Sequence, residues 1–267
     1  MLGHPTFRGG LTSAPQIVNV SHFDPKERQR RGSSYTPSDL SALKRNGARG
    51  LIARCGKGRE TDTKCGAFIQ GADRQGMLLG SYYFVLKGVS PVWQADRFIS
   101  RLRSIKSSYR IQKNEILLVG DFDSKSSPRD LVRFVDRIES KTGTLPIIYL
   151  ENSLSLMASL SRASHAEKRR IAQCPYWLAL YSPSQADRKT PELLMRKYGI
   201  WNRFVMWQYG GVKWDARRGR SIPQYYNYGS RRSPAYFGNL DRPLERNAFN
   251  GSTQELYAFW SQYAWRW

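Results

Sequence analysis

The sequence predicts one α/β domain, a barrel of mostly parallel strands wrapped in helices. Three observations lead there. Strand-like apolar runs alternate with amphipathic helical stretches from residue 16 onward, the pattern of a parallel sheet with right-handed crossovers. Seven or eight such runs fit in one chain of 267 residues, enough to close a barrel. The run Ile116-Leu117-Leu118-Val119-Gly120-Asp121-Phe122-Asp123 is apolar without alternation, as in a strand covered on both faces. It ends in two carboxylates at i, i+2, which a strand points to the same face. Folds of this kind place their sites at the C-terminal ends of the strands.

Residues 1–15 read as a flexible or lightly ordered arm, leaving 16–267 as the barrel domain. Gln16 to Ser21 is a short strand, followed by a polar loop rich in Arg, Ser and Gly from Asp24 to Tyr35. Thr36 and Pro37 open a helix whose apolar stripe is Leu40, Leu43 and Ala48. Gly50 to Arg54 is the second strand, Phe68 to Gln75 a helix, and Met77 to Phe84 the third strand. Pro91 to Ile105 is an amphipathic helix with Trp93, Phe98, Ile99 and Leu102 on one side. After the acid-tipped strand, Pro128 to Lys141 is a helix that turns Leu131, Phe134, Val135 and Ile138 inward. Leu145–Leu150, Tyr176–Tyr181 and Phe204–Tyr209 are further strands. Beyond Tyr209 the alternation breaks down. Residues 210–239 are rich in Gly, Arg, Tyr and Pro and read as a long loop or a short hairpin beside the barrel mouth.

Charge narrows the partners. Lys and Arg number 43 against 21 acids, a net +22, which favours a polyanion: nucleic acid, an anionic membrane face or a charged cell wall. The basic residues are dispersed in short knots, Arg28–Arg31, Lys168–Arg170, Arg217-Arg218 and Arg231-Arg232, with no long tail. The Arg/Tyr-rich stretch from Arg217 to Tyr236 is the only other hint of nucleic acid. There is no helix-turn-helix, finger or RNA-binding motif, so no specific nucleic-acid partner is expected. No apolar run is long enough to span a bilayer. The segment Met1–Gln16 has no apolar core of a Sec-type signal peptide. The three cysteines, Cys55, Cys65 and Cys174, form no metal-type pair and no disulfide framework, although Cys55 and Cys65 are spaced to bridge a loop. His4, His22 and His165 are too scattered for a metal site, and no cofactor is expected.

Several strand ends share a theme. Val18-Asn19-Val20-Ser21-His22-Phe23 resembles the opening "DVSHYQ" strand of the family-25 glycoside hydrolases, muramidases of the Chalaropsis type that cut peptidoglycan. Gly80-Ser81-Tyr82-Tyr83-Phe84 is similar to that family's "GxYHF" strand and Gln94-Ala95-Asp96-Arg97-Phe98 to its "QAxxF" helix. Gly120-Asp121-Phe122-Asp123 stands where the "LDVE" catalytic strand belongs. Trp177 to Tyr181 resembles "LWIAxY", Trp207-Gln208-Tyr209 resembles "WQY", and Leu244 to Phe249 resembles the closing "VDLNxF". The matches keep the family's order over residues 16 to 251. The resemblance implies an irregular, TIM-like β/α barrel with an acidic groove at the C-terminal strand ends.

Three of the family's four acidic positions are changed: its first-strand Asp is Asn19, its catalytic Glu is Asp123, and its closing Asp is Glu245. Only Asp121 keeps the family residue. Carried over, Asp123 is the general acid and Asp121 the stabiliser of an oxazolinium formed by the substrate's own 2-acetamido group. Asp123 is one methylene, about 1.5 Å, shorter than Glu. Glu245 keeps its charge and adds reach, and Asn19 retains hydrogen bonding to a sugar or to Asp121. The resemblance also implies sugar-binding roles for Tyr83, Tyr149, Trp177, Trp207 and Tyr209, with Tyr181 a further aromatic candidate. His22 reads as structural; Glu151, Asp215 and Asp241 read as surface or loop acids.

The implied function is a peptidoglycan hydrolase cleaving β-1,4 bonds between N-acetylmuramic acid and N-acetylglucosamine. The alternative is a catalytically impaired glycan- or cell-wall-binding module on the same barrel. Either acts at the cell wall or periplasm, with delivery by phage lysis or a specialised secretion system.

Overall fold

Strands whose side chains alternate between two apolar layers close into a ring of eight. The computed structural model describes residues 11, 13–24, 35–151, 153–181, 190–215, 217–218, 220–225 and 244–267. In chain order the elements are β1 (Gln16–Val20), α1 (Pro37–Arg45), β2 (Ala48–Lys57), β3 (Glu60–Thr61), α2 (Cys65–Arg74), β4 (Leu78–Val85), α3 (Pro91–Ser108), β5 (Glu115–Phe122) and α4 (Pro128–Thr142). They continue with β6 (Ile147–Leu150), α5 (Leu154–Ser161), α6 (His165–Ala172), β7 (Tyr176–Ala179), α7 (Pro191–Tyr198), β8 (Met206–Asp215), β9 (Arg220–Tyr225), β10 (Glu245–Phe249), α8 (Thr253–Tyr263) and β11 (Trp265–Arg266). The ring runs β1-β2-β4-β5-β6-β7-β8-β10 and returns to β1. Pairing is parallel from β1 through β8, and β10 is antiparallel to both its neighbours. The expected α/β barrel is therefore present, and its irregularity is the reversed strand β10.

Alternation sorts the core. Ile17, Ile52, Leu117, Val119, Ile147, Met206 and Phe249 point into the ring, where Leu256 and Trp260 of α8 plug the N-terminal end. The Trp260 indole donates to the Leu79 carbonyl at 2.8 Å, which fixes the plug. Val18, Leu51, Leu79, Leu118, Ile148 and Leu178 face outward against the helices. Capping boxes start α1 (Thr36 with Asp39), α4 (Ser127 with Asp130), α6 (Ser164 with Glu167) and α8 (Ser252 with Glu255). At Gly120 a Cβ would lie 2.9 Å from the Phe122 ring and 3.0 Å from the Phe134 ring. The missing side chain lets α4 settle on β5 immediately beside Asp121.

All the expected strands form. The helix expected from Phe68 begins at Cys65, and four helices, α5 to α8, were not among the expected elements. In two of them the apolar stripe is too thin to read: α6 buries only Ile171, and α8 only Leu256 and Trp260. In the other two a stripe is present but only eight residues long, Leu156, Met157 and Leu160 in α5 and Leu194, Met195 and Tyr198 in α7. Past Tyr209 the chain does form a hairpin, with β8 running on to Asp215 and pairing with β9. Leu11 is buried, and the Gln16 amide donates to the Leu11 and Ala14 carbonyls, both at 2.8 Å. Residues 1–10 and 12 of the expected arm, most of the loop between Asp24 and Tyr35, and residues 226–243 with Asp241 lie outside the described residues. Cys55, Cys65 and Cys174 are buried free thiols. No helix among the described residues is long and apolar enough to cross a membrane.

Candidate active site

The inward positions continue up each strand, and at the C-terminal end they change from aliphatic to polar. On β5 the inward series is Leu117, Val119, Asp121; on β1 it is Ile17, Asn19; on β8 it is Met206, Gln208. These ends surround a cavity of about 200 Å³. Asn19, Asp121, Glu245, Gln208, Tyr149 and Trp177 line it, joined by Tyr82, Phe84, Val119, Glu151 and Tyr181. The Tyr181 ring passes so close to Gly211 that a Cβ there would meet it at 2.5 Å, so that glycine makes room for one wall.

A hydrogen-bonded network forms one side of the cavity. Asn19 donates to the Glu245 carboxylate and accepts from Asn247 at 2.9 Å and from Gln208 at 3.3 Å. Asn247 in turn accepts from the Trp177 indole at 3.0 Å, and Gln208 from the Tyr149 hydroxyl at 2.5 Å. The Tyr149 and Trp177 rings meet edge to face with centroids 5.0 Å apart. Each polar group is thus oriented by a neighbour before any ligand arrives, as a preorganised site requires.

Asp121 stands apart from this network. Its Oδ1 is buried without a hydrogen-bond partner among the described residues. Burial, reinforced by the Glu151 and Glu245 carboxylates, pushes its acid well above the ordinary carboxylate range, although Arg54 pulls the other way. Arg54 points inward from β2 and is held by Asp62 at 3.1 Å; Asp62 also accepts the His22 backbone N–H at 2.8 Å. His22 therefore belongs to the support of the Arg54–Asp62 pair. Glu151, at the tip of β6, is also raised, chiefly by burial and by Asp123, against hydrogen bonds from Ser124 and Ser153.

Strand parity separates the expected site residues. Asn19, Asp121, Glu245, Tyr149 and Trp177 come together in the cavity. Tyr83, Trp207 and Tyr209 do not. They lie on the outward face, where Tyr83 donates to the Gly58 carbonyl at 2.8 Å, Trp207 to the Leu180 carbonyl at 3.0 Å and Tyr209 to the Gln16 side chain at 2.5 Å. The residue beside each is the inward one: Tyr82 and Phe84 flank Tyr83, and Gln208 lies between Trp207 and Tyr209. Asp123 lies just past β5, its Oδ1 accepting from the Lys125 N–H at 3.0 Å and the Ser124 hydroxyl at 3.2 Å, an Asx turn at the rim rather than in the cavity lining. Glu151, read from sequence as a surface or loop acid, lines the cavity; its signal was the i, i+2 step from Tyr149. Asp215 is the last residue of β8, out on the hairpin. No group of His, Cys, Asp and Glu among the described residues is arranged to hold a metal ion.

Residues 33–214 match the family described as Glycosyl hydrolases family 25. The chain belongs to glycosyl hydrolase family 25. Solved structures similar to this family-25 chain agree in fold. A bacterial lysozyme from Streptomyces coelicolor is 19% identical, with a TM-score of 0.59 over 93% of this chain and 98% of that one. A muramidase from Trichobolus zukalii is 21% identical, with a TM-score of 0.57 over 92% and 99%. The catalytic domain of endolysin ply40 from bacteriophage P40 of Listeria monocytogenes is 17% identical, with a TM-score of 0.56 over 93% and 98%. No curated protein matches the sequence. In this family-25 glycoside hydrolase the acids Asp121, Glu151 and Glu245 line one cavity at the C-terminal strand ends.

Proposed function

We propose that this family-25 chain hydrolyses peptidoglycan, cutting the β-1,4 bond between N-acetylmuramic acid and N-acetylglucosamine at the cavity around Asp121. The observation that carries this reading is the buried, unpartnered Asp121 oxygen in a cavity where Asn19, Gln208, Tyr149 and Trp177 are already hydrogen-bonded to neighbours. An acceptor held without a donor is suited to take the N–H of a 2-acetamido group. Once ionised, it also stabilises the positive charge of the oxazolinium that forms when the acetamido oxygen attacks the anomeric carbon. Glu245 and Asn19 present a fixed carboxylate–amide pair to the sugar hydroxyls, and Tyr82, Tyr149, Trp177 and Tyr181 supply ring faces and edges for the pyranose planes. The proton for the departing oxygen comes from a carboxyl group beside Asp121. The net charge of +22 concentrates the protein on a polyanionic wall.

Purified peptidoglycan incubated with the protein between about pH 4 and 8, a span around a raised carboxyl pKa, should release new reducing ends. Retention on the wall with no release at any pH would instead make the chain a wall-binding module.

A further inference from the structure

Asp123 occupies the motif position of the acid, yet it is a methylene short and its Oδ1 is held in a turn by Lys125 and Ser124. The neighbouring strand offers another carboxylate at the same height. Asp121 and Tyr149 are register partners, as are Phe122 and Leu150, so Asp123 and Glu151 are the next pair up the two strand tips. Tyr149 points into the ring, and Glu151 continues that face into the cavity lining. Its tip is anchored by the Tyr198 hydroxyl, which donates to the Glu151 carbonyl at 3.2 Å. The Ser124 hydroxyl donates to the Asp123 carboxylate at 3.2 Å.

Building on the hydrolase reading above, we propose that Glu151 is the proton donor of this enzyme, and that Asp123, the next carboxylate across the two strand tips, is a positioning residue beside it. In the first step the Glu151 proton passes to the glycosidic oxygen. The C1–O bond breaks with its electron pair staying on that oxygen, while the acetamido oxygen bonds to C1 and Asp121 accepts the amide N–H. In the second, water bonds to C1, its proton goes to the Glu151 carboxylate, and the acetamido oxygen is released. One water is added across one bond, and Glu151 ends as it began. Glu brings back the roughly 1.5 Å of reach that Asp at 123 lacks.

The groups facing Glu151 are Asp121 and Asp123 from β5, Glu245 from β10, Tyr181 beyond β7, and Tyr198 from α7. Its raised acid follows from burial and from Asp123. Loss of activity on the alkaline side should therefore report a carboxyl cluster in which Glu151 is the group that must keep its proton.

The test uses the full chain with two substrates, purified peptidoglycan and a dinitrophenyl β-glycoside of an N-acetylglucosamine oligomer, whose leaving group needs no proton. Glu151→Gln should lower kcat/KM for peptidoglycan by about 100-fold or more, keep kcat/KM for the dinitrophenyl glycoside, which reports only the first bond broken, within about tenfold, and flatten the alkaline limb. Asp123→Asn should leave the ratio of the two activities as in the wild type and move the alkaline limb to lower pH. The assignment is overturned if Glu151→Gln keeps full activity on the wall, or if it lowers both substrates alike. It is equally overturned if Asp123→Asn is the variant that spares only the dinitrophenyl substrate. A wild-type chain silent on both substrates would overturn the hydrolase reading and this assignment together.

Discussion

In the proposed reaction Asp121 is the residue on which the cavity's chemistry turns, and it works against the stability of the fold. An acid whose folded pKa is raised binds its proton more tightly in the native state. Its ionisation therefore withdraws stability as pH rises from the ordinary carboxylate value of about 4 through the raised native one. Asp121→Asn should abolish hydrolysis and, at pH 7, raise stability by on the order of 1 kcal/mol or more, a gain that shrinks toward pH 4. Urea denaturation at both pH values checks it; a variant less stable at pH 7 would contradict the electrostatic account. Tyrosines 82 and 83 make a sharper comparison. Tyr83→Phe removes only the bond to the Gly58 carbonyl, so it should cost about 1 kcal/mol of stability and leave kcat/KM unchanged. Tyr82→Ala strips one wall of the cavity and should raise KM.

At the scale of elements, the strands were legible and their facing was not. Apolar runs such as Leu117–Val119 announce a buried strand, but a strand buried on both sides loses the alternation that tells inward from outward. For that reason Tyr83, Trp207 and Tyr209 read as groove residues when only the residues beside them face the cavity. The parity was recoverable from Asp121 itself: its register partners Phe84 and Tyr149 must share its face. The helices α5 to α8 stayed hidden because eight residues in α5, α6 and α7, and only two buried side chains in α8, leave too little periodicity. The junction of β5 and α4 offers a direct check. Gly120→Ala places a methyl against Phe122 and Phe134 and should destabilise the protein by about 1–3 kcal/mol, read as a fall in the urea midpoint. A neutral effect would mean that α4 does not rest on β5 beside the site.

For the whole molecule, the barrel and the charge do different work. The ring of eight strands brings residues as distant as Asn19 and Glu245 into one hydrogen-bonded pair, through the antiparallel return of β10 beside β1. The motif order along the chain made that assembly visible in advance, whereas the contribution of Glu151 depended on the tip of β6 and carried no motif. The net charge of +22 comes from basic residues dispersed along the chain, and in the proposed function it draws the molecule to a polyanionic wall. Retention on isolated cell walls should fall steeply as salt rises from about 0.05 to 0.5 M, where the screening length drops below about 5 Å. Sedimentation of wall-bound protein measures it, and salt-independent retention would assign binding to the cavity alone.

The central claim is that the cavity around Asp121 cleaves glycan. Its most direct test is mass spectrometry of the soluble fragments released from purified peptidoglycan by the wild-type chain beside a folded Asp121→Asn control. The account predicts fragments ending in reducing N-acetylmuramic acid from the wild type and none from the variant. Fragments from both, or from neither while both bind the wall, would contradict it.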